Sequence, residues 1–305
     1  MIVAAVEAGG TKFIAGLFKV SKTPGETPEL LWRSSIPTTS PGETLEGVAE
    51  LMREASKTHG RPDLLGIACF GPVELKKSSP EWGHITTTPK PGWRGADVAP
   101  LLGSAFGLSA AFDTDVNAAA CGELYWGAAR GLSDFVYMTV GTGIGGGAVA
   151  GGNLVHGAAH PEFGHIRIAR EPGDGYAGHC PFHGDCFEGL ACGPAIAARW
   201  GKPGTELSDD HPAWELEATY LARAFAAYTC VLSPQRILMG GGIGLRPGLS
   251  ERVTALVGRE LAGYFSHLAS EGGLAGYVRR PELGPNAGLF GAAALALASN
   301  QPAFR

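Results

Sequence analysis

Four residues that commonly bind metals lie close together in one stretch of this sequence. Cys180, His183 and Cys186 form a C-x₂-H-x₂-C array, and His165 lies fifteen positions before Cys180. A structural zinc ion takes four Cys or His ligands in a tetrahedron and leaves no position open. The spacing therefore predicts a structural zinc site, with His179 as a more strained alternative ligand. Two buried cysteines beside surface histidines are the other interpretation.

Two carboxylates flank this array. Glu162 lies three residues before His165, and Glu188 lies two residues after Cys186. Carboxylate oxygens accept hydrogen bonds from hydroxyl groups, so glutamates held rigidly by a metal-bound loop are suited to binding a sugar. Two solvated acidic side chains are the alternative.

Three glycine-rich segments each follow a run of β-forming residues. They are residues 9–12 (GGTK), 141–147 (GTGIGGG) and 240–244 (GGGIG). Glycine lets backbone N–H groups approach a phosphate without a Cβ atom in the way. The first two segments are predicted to bind phosphates and the third to form a flat floor for a base or ribose, with ordinary tight turns as the alternative. The three segments together indicate one nucleotide site built from two halves of the chain.

The second segment also fits the dinucleotide fingerprint G-x-G-x-x-G. That fingerprint works only where a helix follows the loop directly. Residues 148–155 are rich in β-branched residues and interrupted by glycine, so a strand is expected there. Dinucleotide binding is therefore disfavoured.

Two aspartates at a predicted strand-to-helix junction are candidates for acid–base chemistry. Asp113 ends the predicted strand 110–113, and Asp115 begins the predicted helix 115–129. Phosphoryl transfer needs one base for the proton of the attacking hydroxyl, and ligands in open α/β sheets bind at the carboxyl ends of strands. We predict that Asp115 is the base and that Asp113 caps the helix, although spacing alone leaves both roles open.

The predicted elements that would position these residues alternate between strands and helices, which indicates an α/β protein. Further strands are predicted at 2–6, 13–20, 64–69, 135–140, 148–155 and 236–239, and further helices after the cap Ser40, near 214–232, near 249–265 and from about 287. Two strand–glycine–strand units about 130 residues apart suggest two related halves.

The composition is that of a folded protein with no preference for polyanions. The 305 residues are 45% hydrophobic and 17% charged, which excludes a disordered chain. The net charge of −5 argues against nucleic acid or an anionic membrane as a partner. No apolar run is long enough for a membrane span and no signal peptide precedes the first strand, so a cytoplasmic protein is expected. Cys69, Cys121, Cys192 and Cys230 are predicted to be buried core thiols.

Taken together, these motifs resemble those of the ROK family of sugar kinases. The matching segments are 7–12, 115–120, 141–147, 161–165, 180–186 with 188–190, 233–236, 240–242 and 286–289, which occur in the family's order. Within the family the chain is most similar to bacterial fructokinases, through residues 7–12, 79–93 and 180–186.

The resemblance implies a fold, a reaction and an assembly. The fold is the actin-like (ribonuclease H-like) ATPase fold, with two α/β domains around a cleft. The implied domains are residues 1–114, with a last helix at about 287–305 packing back on them, and residues 115–286, which carry the zinc loop. The implied reaction transfers the γ-phosphate of Mg-ATP to the 6-hydroxyl of fructose, and a homodimer is expected.

The resemblance also assigns roles to single residues. Phosphate binding is implied for Gly9, Gly10, Thr11, Lys12, Thr142 and Gly143, adenosine binding for Gly241 and Gly242, sugar binding for Asp115, Glu162, His165 and Glu188, and zinc binding for His165, Cys180, His183 and Cys186. Asp115 is implied to be the catalytic base, and Glu7 to contact Mg²⁺ directly or through water.

Two positions depart from most of the family. Glu7 stands where aspartate is usual, and Thr114 stands where asparagine is usual. Fructokinase-like members share both changes, which therefore favour fructose over glucose. A broader hexokinase acting on mannose or glucose and a non-catalytic sugar sensor are the alternatives. A repressor is disfavoured because no DNA-binding segment precedes the strand at Ile2.

Overall fold

The computed structural model describes residues 1–21, 23 and 25–300. Strands occupy β1 Ile2–Ala8, β2 Lys12–Lys19, β3 Glu29–Pro37, β4 Leu64–Cys69, β5 Ala110–Thr114, β6 Phe135–Val140, β7 Ile144–Ala150, β8 Asn153–Leu154, β9 Arg236–Gly240 and β10 Val278–Arg279. Helices occupy α1 Pro41–His59, α2 Val98–Phe106, α3 Asp115–Trp126, α4 Phe187–Ala191, α5 Gly193–Trp200, α6 Ala213–Leu232, α7 Gly241–Gly244, α8 Leu249–Leu261, α9 Ser266–Ala269 and α10 Ala287–Ser299. Within the described ranges, the helices are too short or too polar to cross a membrane.

The chain divides into two compact units. Unit 1 comprises residues 1–131, 153–161 and 282–305, and unit 2 comprises residues 132–152 and 162–281. This division differs from the predicted boundary after residue 114, because α3 packs against α10 inside unit 1. Helix α10 also packs on β4 and β1, so the last helix lies with the N-terminal strands. The predicted end of that helix, residues 301–305, lies outside the described residues.

The sheet of unit 1 brings three parallel strands to one functional edge. Its strand order is β3-β2-β1-β4-β5, with β1, β4 and β5 parallel. The register pairs Glu7 with Ala68 and Cys69 with Thr114, so these strands end side by side. This edge is where an open α/β sheet binds its ligands.

Helices cover both faces of this sheet. Ala4 and Val6 of β1 belong to the buried cluster that includes Met52 of α1. Val3 and Ala5, which point the other way, belong to the cluster that α10 completes. Because successive strand residues face opposite sides, a strand that is apolar at every position is buried on both faces. The continuous apolar run of β1 therefore marks a central strand.

The strands of unit 2 repeat the arrangement of unit 1. The order β10-β9-β6-β7 has β6 parallel to β9 and antiparallel to β7. In unit 1, β1 is likewise parallel to β4 and antiparallel to β2. The common pattern of a strand, a tight turn, an antiparallel strand and a later parallel strand supports the expectation of two related halves.

Two local expectations need correction. The glycine segment 141–147 is mostly strand, because β7 begins at Ile144, and Gly151 and Gly152 separate β7 from β8 with positive φ values of 55° and 77°. A Cβ atom on Gly146 would lie 2.5 Å from Met138 Sδ, so glycine there lets β7 lie close to its neighbours.

Cys230 is exposed, unlike the buried Cys69, Cys121 and Cys192, because it lies on the solvent side of α6 near its end.

The close approach of α3 and α10 gives a stability prediction. A Cβ atom on Gly291 would lie 2.2 Å from the carbonyl oxygen of Ala118, so the two helices cannot keep their spacing in Gly291→Ala. We expect this variant to lose about 3 kcal/mol in the free energy of unfolding, measured by urea denaturation. Gly42→Ala is the matched control, because a Cβ at this exposed helical position meets nothing within 4 Å among the described residues. Equal stability of the two variants would contradict the packing.

Candidate active site and metal centre

In unit 1, the predicted base and the first phosphate loop lie at the same edge of the sheet. Glu7 lies near the end of β1, and Asp115 follows β5 directly. Between β1 and β2 the chain makes a tight turn in which the Gly9 N–H donates to the Lys12 carbonyl at 3.0 Å. A Cβ atom on Gly9 would lie 2.8 Å from that carbonyl oxygen. Glycine is therefore required there, and the next three residues, Gly10 to Lys12, are exposed for contact with a ligand.

Glu7 has the environment of a cation ligand. Its Oε2 atom is buried and has no hydrogen-bond partner among the described residues. Burial raises the pKa of this carboxyl, and the nearby charge of Asp115 raises it further, whereas Lys12 and Arg33 lower it. A buried carboxylate oxygen without a partner is costly, and a hard divalent cation is a suitable partner for it. The residues present therefore fit an Mg²⁺ contact at Glu7.

Asp115 is held at the start of α3, although a different residue caps that helix. The Thr114 hydroxyl accepts the Asn117 N–H at 3.1 Å, so Thr114 is the N-cap. The prediction that Asp113 caps α3 is wrong, because Asp113 lies within β5 and its carboxylate bonds the Thr114 N–H and the Asn117 side chain. The Asp115 carboxylate accepts the Val116 N–H at 2.9 Å, which leaves its other oxygen for a substrate.

The electrostatic environment suits Asp115 to proton transfer. Burial raises the pKa of Asp115 to about 6, and hydrogen bonds from the backbone N–H groups of Val116 and of Asp115 itself oppose this rise. A base works best when its pKa is near the working pH, because it is then ionised and still attracts a proton strongly. The structure thus places a carboxylate with a suitable pKa at the carboxyl edge of the sheet.

In unit 2, two of the glycine segments meet. The turn 141–143 joins β6 to β7, and a Cβ on Gly141 would lie 3.6 Å from the Gly242 backbone nitrogen. Gly241 has a φ of 85°, and a Cβ there would lie 2.4 Å from the Val140 carbonyl oxygen. Glycine is therefore required at position 241, and the contact between Gly141 and Gly242 brings together the predicted phosphate turn and the predicted adenosine floor.

The two predicted sugar-binding glutamates of unit 2, Glu162 and Glu188, differ in their surroundings. The Glu188 carboxylate accepts the Ile144 N–H at 2.9 Å and lies against Gly143, so it is fixed beside the phosphate turn. Glu162 is exposed and directly precedes the short 3₁₀ helix Phe163–His165, which carries His165. The fold therefore fixes the Glu188 carboxylate at the phosphate turn of unit 2.

The four predicted zinc ligands converge in unit 2. The candidate ligand atoms of His165, Cys180, His183 and Cys186 all lie within 4.8 Å of one another. His165 Nδ1 is 3.8 Å from Cys180 Sγ and 3.5 Å from Cys186 Sγ, and His183 Nδ1 is 3.6 Å from Cys180 Sγ. Zn–S and Zn–N bonds of about 2.3 and 2.0 Å in a tetrahedron place S and N about 3.5 Å apart. The donor set and its spacing fit zinc, and His179 is not among the four.

The backbone holds this cluster in shape. Cys180 and Gly184 exchange two backbone hydrogen bonds of 3.1 and 2.9 Å, which closes the loop that contains His183. The Phe187 N–H donates to the Ile166 carbonyl at 2.9 Å, which keeps Cys186 next to His165. The loop is therefore assembled from two distant parts of the sequence.

One functional contact was missed from the sequence. His156 Nε2 lies 2.7 Å from an Asp113 carboxylate oxygen, two residues before the predicted base. These residues are 43 positions apart, and no local motif connects them. The tertiary structure brings them together, because it places the segment 153–161 of unit 1 next to β5.

Comparisons with known proteins agree with the geometry of both units. The family model described as the ROK family matches residues 3–299. The fructokinase of Zymomonas mobilis is 41% identical over 298 residues, which cover 96% of each chain.

Solved structures show the same fold. The ROK hexokinase from Thermus thermophilus has a TM-score of 0.79 at 28% identity, and the alignment covers 98% of this chain and 99% of the other. The ROK family glucokinase from Streptomyces griseus, solved in complex with glucose and AMPPNP, has a TM-score of 0.72 at 27% identity, with 97% and 99% covered. The actin-like ATPase fold of the ROK sugar kinases is thereby confirmed.

Proposed function

The chain belongs to the ROK family, and we propose that it is an ATP-dependent fructokinase, which transfers the γ-phosphate of ATP to the 6-hydroxyl of fructose. The observation that carries this proposal is 41% identity to a fructokinase over 96% of both chains. The glucokinase and hexokinase structures are only 27% and 28% identical. Glu7 and Thr114 are the two fructokinase-like features of the sequence. Glu7 lies near the end of β1, and Thr114 is the N-cap of α3.

We assign the base to Asp115. The 6-hydroxyl of fructose donates a hydrogen bond to the Asp115 carboxylate, and its proton passes to that carboxylate as the oxygen attacks the γ-phosphorus. The bond from the γ-phosphorus to the β–γ bridging oxygen breaks, and ADP leaves with that oxygen. Phosphoryl transfer demands little covalent chemistry from a protein and depends on positioning and on charge stabilisation. Asp115 meets the first demand because the Val116 N–H bonds its carboxylate and the Thr114 cap fixes the start of α3.

Backbone N–H groups of the two glycine turns and the side chains of Thr11, Lys12 and Thr142 bind the phosphates in this proposal. Glu7 holds Mg²⁺, directly or through water. The bound Mg²⁺ neutralises negative charge on the phosphates. Gly241 and Gly242 form the flat surface for adenosine, which their missing side chains leave open.

Sugar binding is assigned to Glu162, His165 and Glu188 together with Asp115. Zinc is proposed at His165, Cys180, His183 and Cys186. A closed zinc site stabilises a loop and leaves no coordination position for chemistry. Its role here is therefore to hold the α4 start, where Glu188 lies, beside the helix that carries His165.

We also propose that the enzyme is a homodimer. The resemblance to the ROK family, whose model matches residues 3–299, supports this proposal. Light scattering on the purified protein measures the mass directly.

A sugar panel tests the proposed function. ADP release is measured with Mg-ATP and fructose, mannose, glucose or N-acetylmannosamine in turn. We expect the highest kcat/KM with fructose. A higher value with glucose or mannose would identify a broader hexokinase, and absence of ADP release with every sugar would identify a sensor.

The pKa of Asp115 gives a pH prediction. The base must be ionised, so kcat/KM for fructose is expected to fall about tenfold per pH unit below pH 6 and to level off above it. A pH–rate profile from pH 4.5 to 8 checks this. A profile that stays flat to pH 5 would contradict the assignment of a buried carboxylate as base.

A further inference from the structure

A carboxylate whose two oxygens both have hydrogen-bond partners lies two residues before the predicted base. Asp113 is only 5% exposed. One of its oxygens accepts the Thr114 N–H and the Asn117 side-chain amide, both at 2.8 Å, and the other lies 2.7 Å from His156 Nε2. A buried carboxylate needs such partners, because an unpaired charge in the interior is costly. His156 is its one side-chain partner outside the β5–α3 junction among the described residues.

The residues that Asp113 binds, Thr114 and Asn117, lie on either side of Asp115 in the sequence. Thr114 precedes the base and caps α3, and Asn117 follows the base by two residues and supplies the N–H for that cap. The Asp113 carboxylate bonds both of them. A rotation of the Asp113 side chain would therefore disturb residues on both sides of Asp115. The direction of the Asp115 carboxylate depends on this turn, since the hydrogen bonds that it accepts come from the backbone N–H groups of Val116 and of Asp115 itself.

His156 completes the junction from a separate part of unit 1, the segment 153–161. The hydrogen bond to Asp113 is the main cause that raises the pKa of His156, and burial opposes it. The form with a proton on Nε2 is therefore favoured, and Nε2 donates to the Asp113 carboxylate. His156 also lies 3.3 Å from the Asn117 amide nitrogen, so it contacts two of the three side chains that brace the turn.

We propose that His156 and Asp113 are positioning residues for phosphoryl transfer, which fix the β5–α3 junction so that the Asp115 carboxylate meets the attacking hydroxyl. The inference rests on the proposed role of Asp115 as the base. Neither residue needs to touch substrate for this role. A displacement of a reacting group by about 1 Å costs on the order of 10²-fold in rate, so loss of the brace reduces turnover more than it reduces substrate binding.

The surroundings of His156 make the test feasible. Its side chain is 40% exposed and lines a cavity of about 870 Å³, which Lys76, Trp82 and Phe112 also line. Water can therefore reach the Asp113 oxygen when the imidazole is removed, and the unit is expected to fold in His156 variants.

Two variants of His156 that differ by one methylene group distinguish a positioning role from a general effect on folding. In His156→Gln the side-chain amide nitrogen takes the place of Nε2 and can still donate to Asp113. In His156→Asn the amide is too short and ends near the place of Nδ1. We expect His156→Asn to lower kcat by about 10- to 100-fold with KM for ATP and fructose changed less than threefold, and His156→Gln to recover most of the rate.

Rates are compared per folded enzyme, with thermal melts of every variant. The matched control is His84→Asn, because His84 also pairs with an aspartate of unit 1, Asp97, at 3.2 Å, and neither residue belongs to β5 or α3. The control is expected to keep its kcat. A normal kcat in His156→Asn, or an equal loss in the Asn and Gln variants, would overturn the proposal. Turnover of the unaltered enzyme with fructose tests the proposed function separately in the same assay.

Discussion

Asp115→Asn is expected to lower kcat with fructose by about 10²–10⁴-fold, the usual contribution of a positioned base. Asparagine has nearly the same shape and can still accept the Val116 N–H, but it cannot take the proton of the hydroxyl. The KM for ATP should change little, because this side chain is assigned to the sugar and not to the phosphates. ADP release at saturating substrates measures kcat, and its dependence on the ATP concentration measures the KM.

The same variant is expected to be more stable at neutral pH. The folded-state pKa of about 6 lies above the ordinary value of 3.8 for aspartate, so folding favours the protonated form. The penalty for the ionised form is absent below pH 3.8, grows as the pH rises towards 6, and is complete above it. Asp115→Asn should therefore gain about 3 kcal/mol at pH 7.5 and almost nothing near pH 3.8.

Asp97→Asn is the matched control for both measurements. Asp97 is in the same unit and its side chain is 49% exposed, so it lacks the burial that raises the pKa of Asp115. Its kcat should be normal and its stability should show no gain at pH 7.5. Full activity of Asp115→Asn would assign the base to another group, whereas a loss of stability would show that the carboxylate is well solvated.

The sequence predicts the fold well where local chemistry determines an element. Ser40 and Pro41 specify the start of α1, and the structure confirms both the cap and the first helical residue. The apolar runs of β1, β4 and β6 predict strands correctly, because strands that are buried on both faces are apolar at nearly every position. The strand at glycines 145–147 is harder to predict, because runs of glycine are typical of turns. Here these glycines lie within β7, where a side chain on Gly146 would collide with its neighbours.

The sites are predictable where the ligands repeat at short spacing. The zinc ligands 180, 183 and 186 lie within seven residues, and their convergence with His165 follows the expectation. The roles at the β5–α3 junction are less predictable, because either Asp113 or Thr114 can cap a helix. The structure decides between them, because α3 begins at Asp115 and Thr114 is the residue directly before it. The His156 contact cannot be read from the sequence, because it depends on tertiary structure alone.

Cys180→Ser is expected to reduce bound zinc from about one ion per chain to a small fraction of that value after dialysis. The cluster supplies four donor atoms within 4.8 Å of one another. Serine is a much poorer ligand than a thiolate, and three remaining donors cannot close the tetrahedron. Elemental analysis by plasma mass spectrometry, on protein produced with zinc in the medium, measures the change.

The loss of zinc should raise the KM for fructose more than the KM for ATP, on the order of tenfold, because binding of a structural metal is coupled to the folding of its loop. Glu188 lies two residues after Cys186, and its carboxylate holds the Ile144 N–H, so a disordered loop releases an assigned sugar contact. Cys192→Ser is the control, since Cys192 is a buried thiol of the same unit outside the cluster. It should retain the metal and the KM. Full zinc content in Cys180→Ser would show that Cys180 is not a ligand, and an unchanged KM in zinc-free protein would separate the metal from sugar binding.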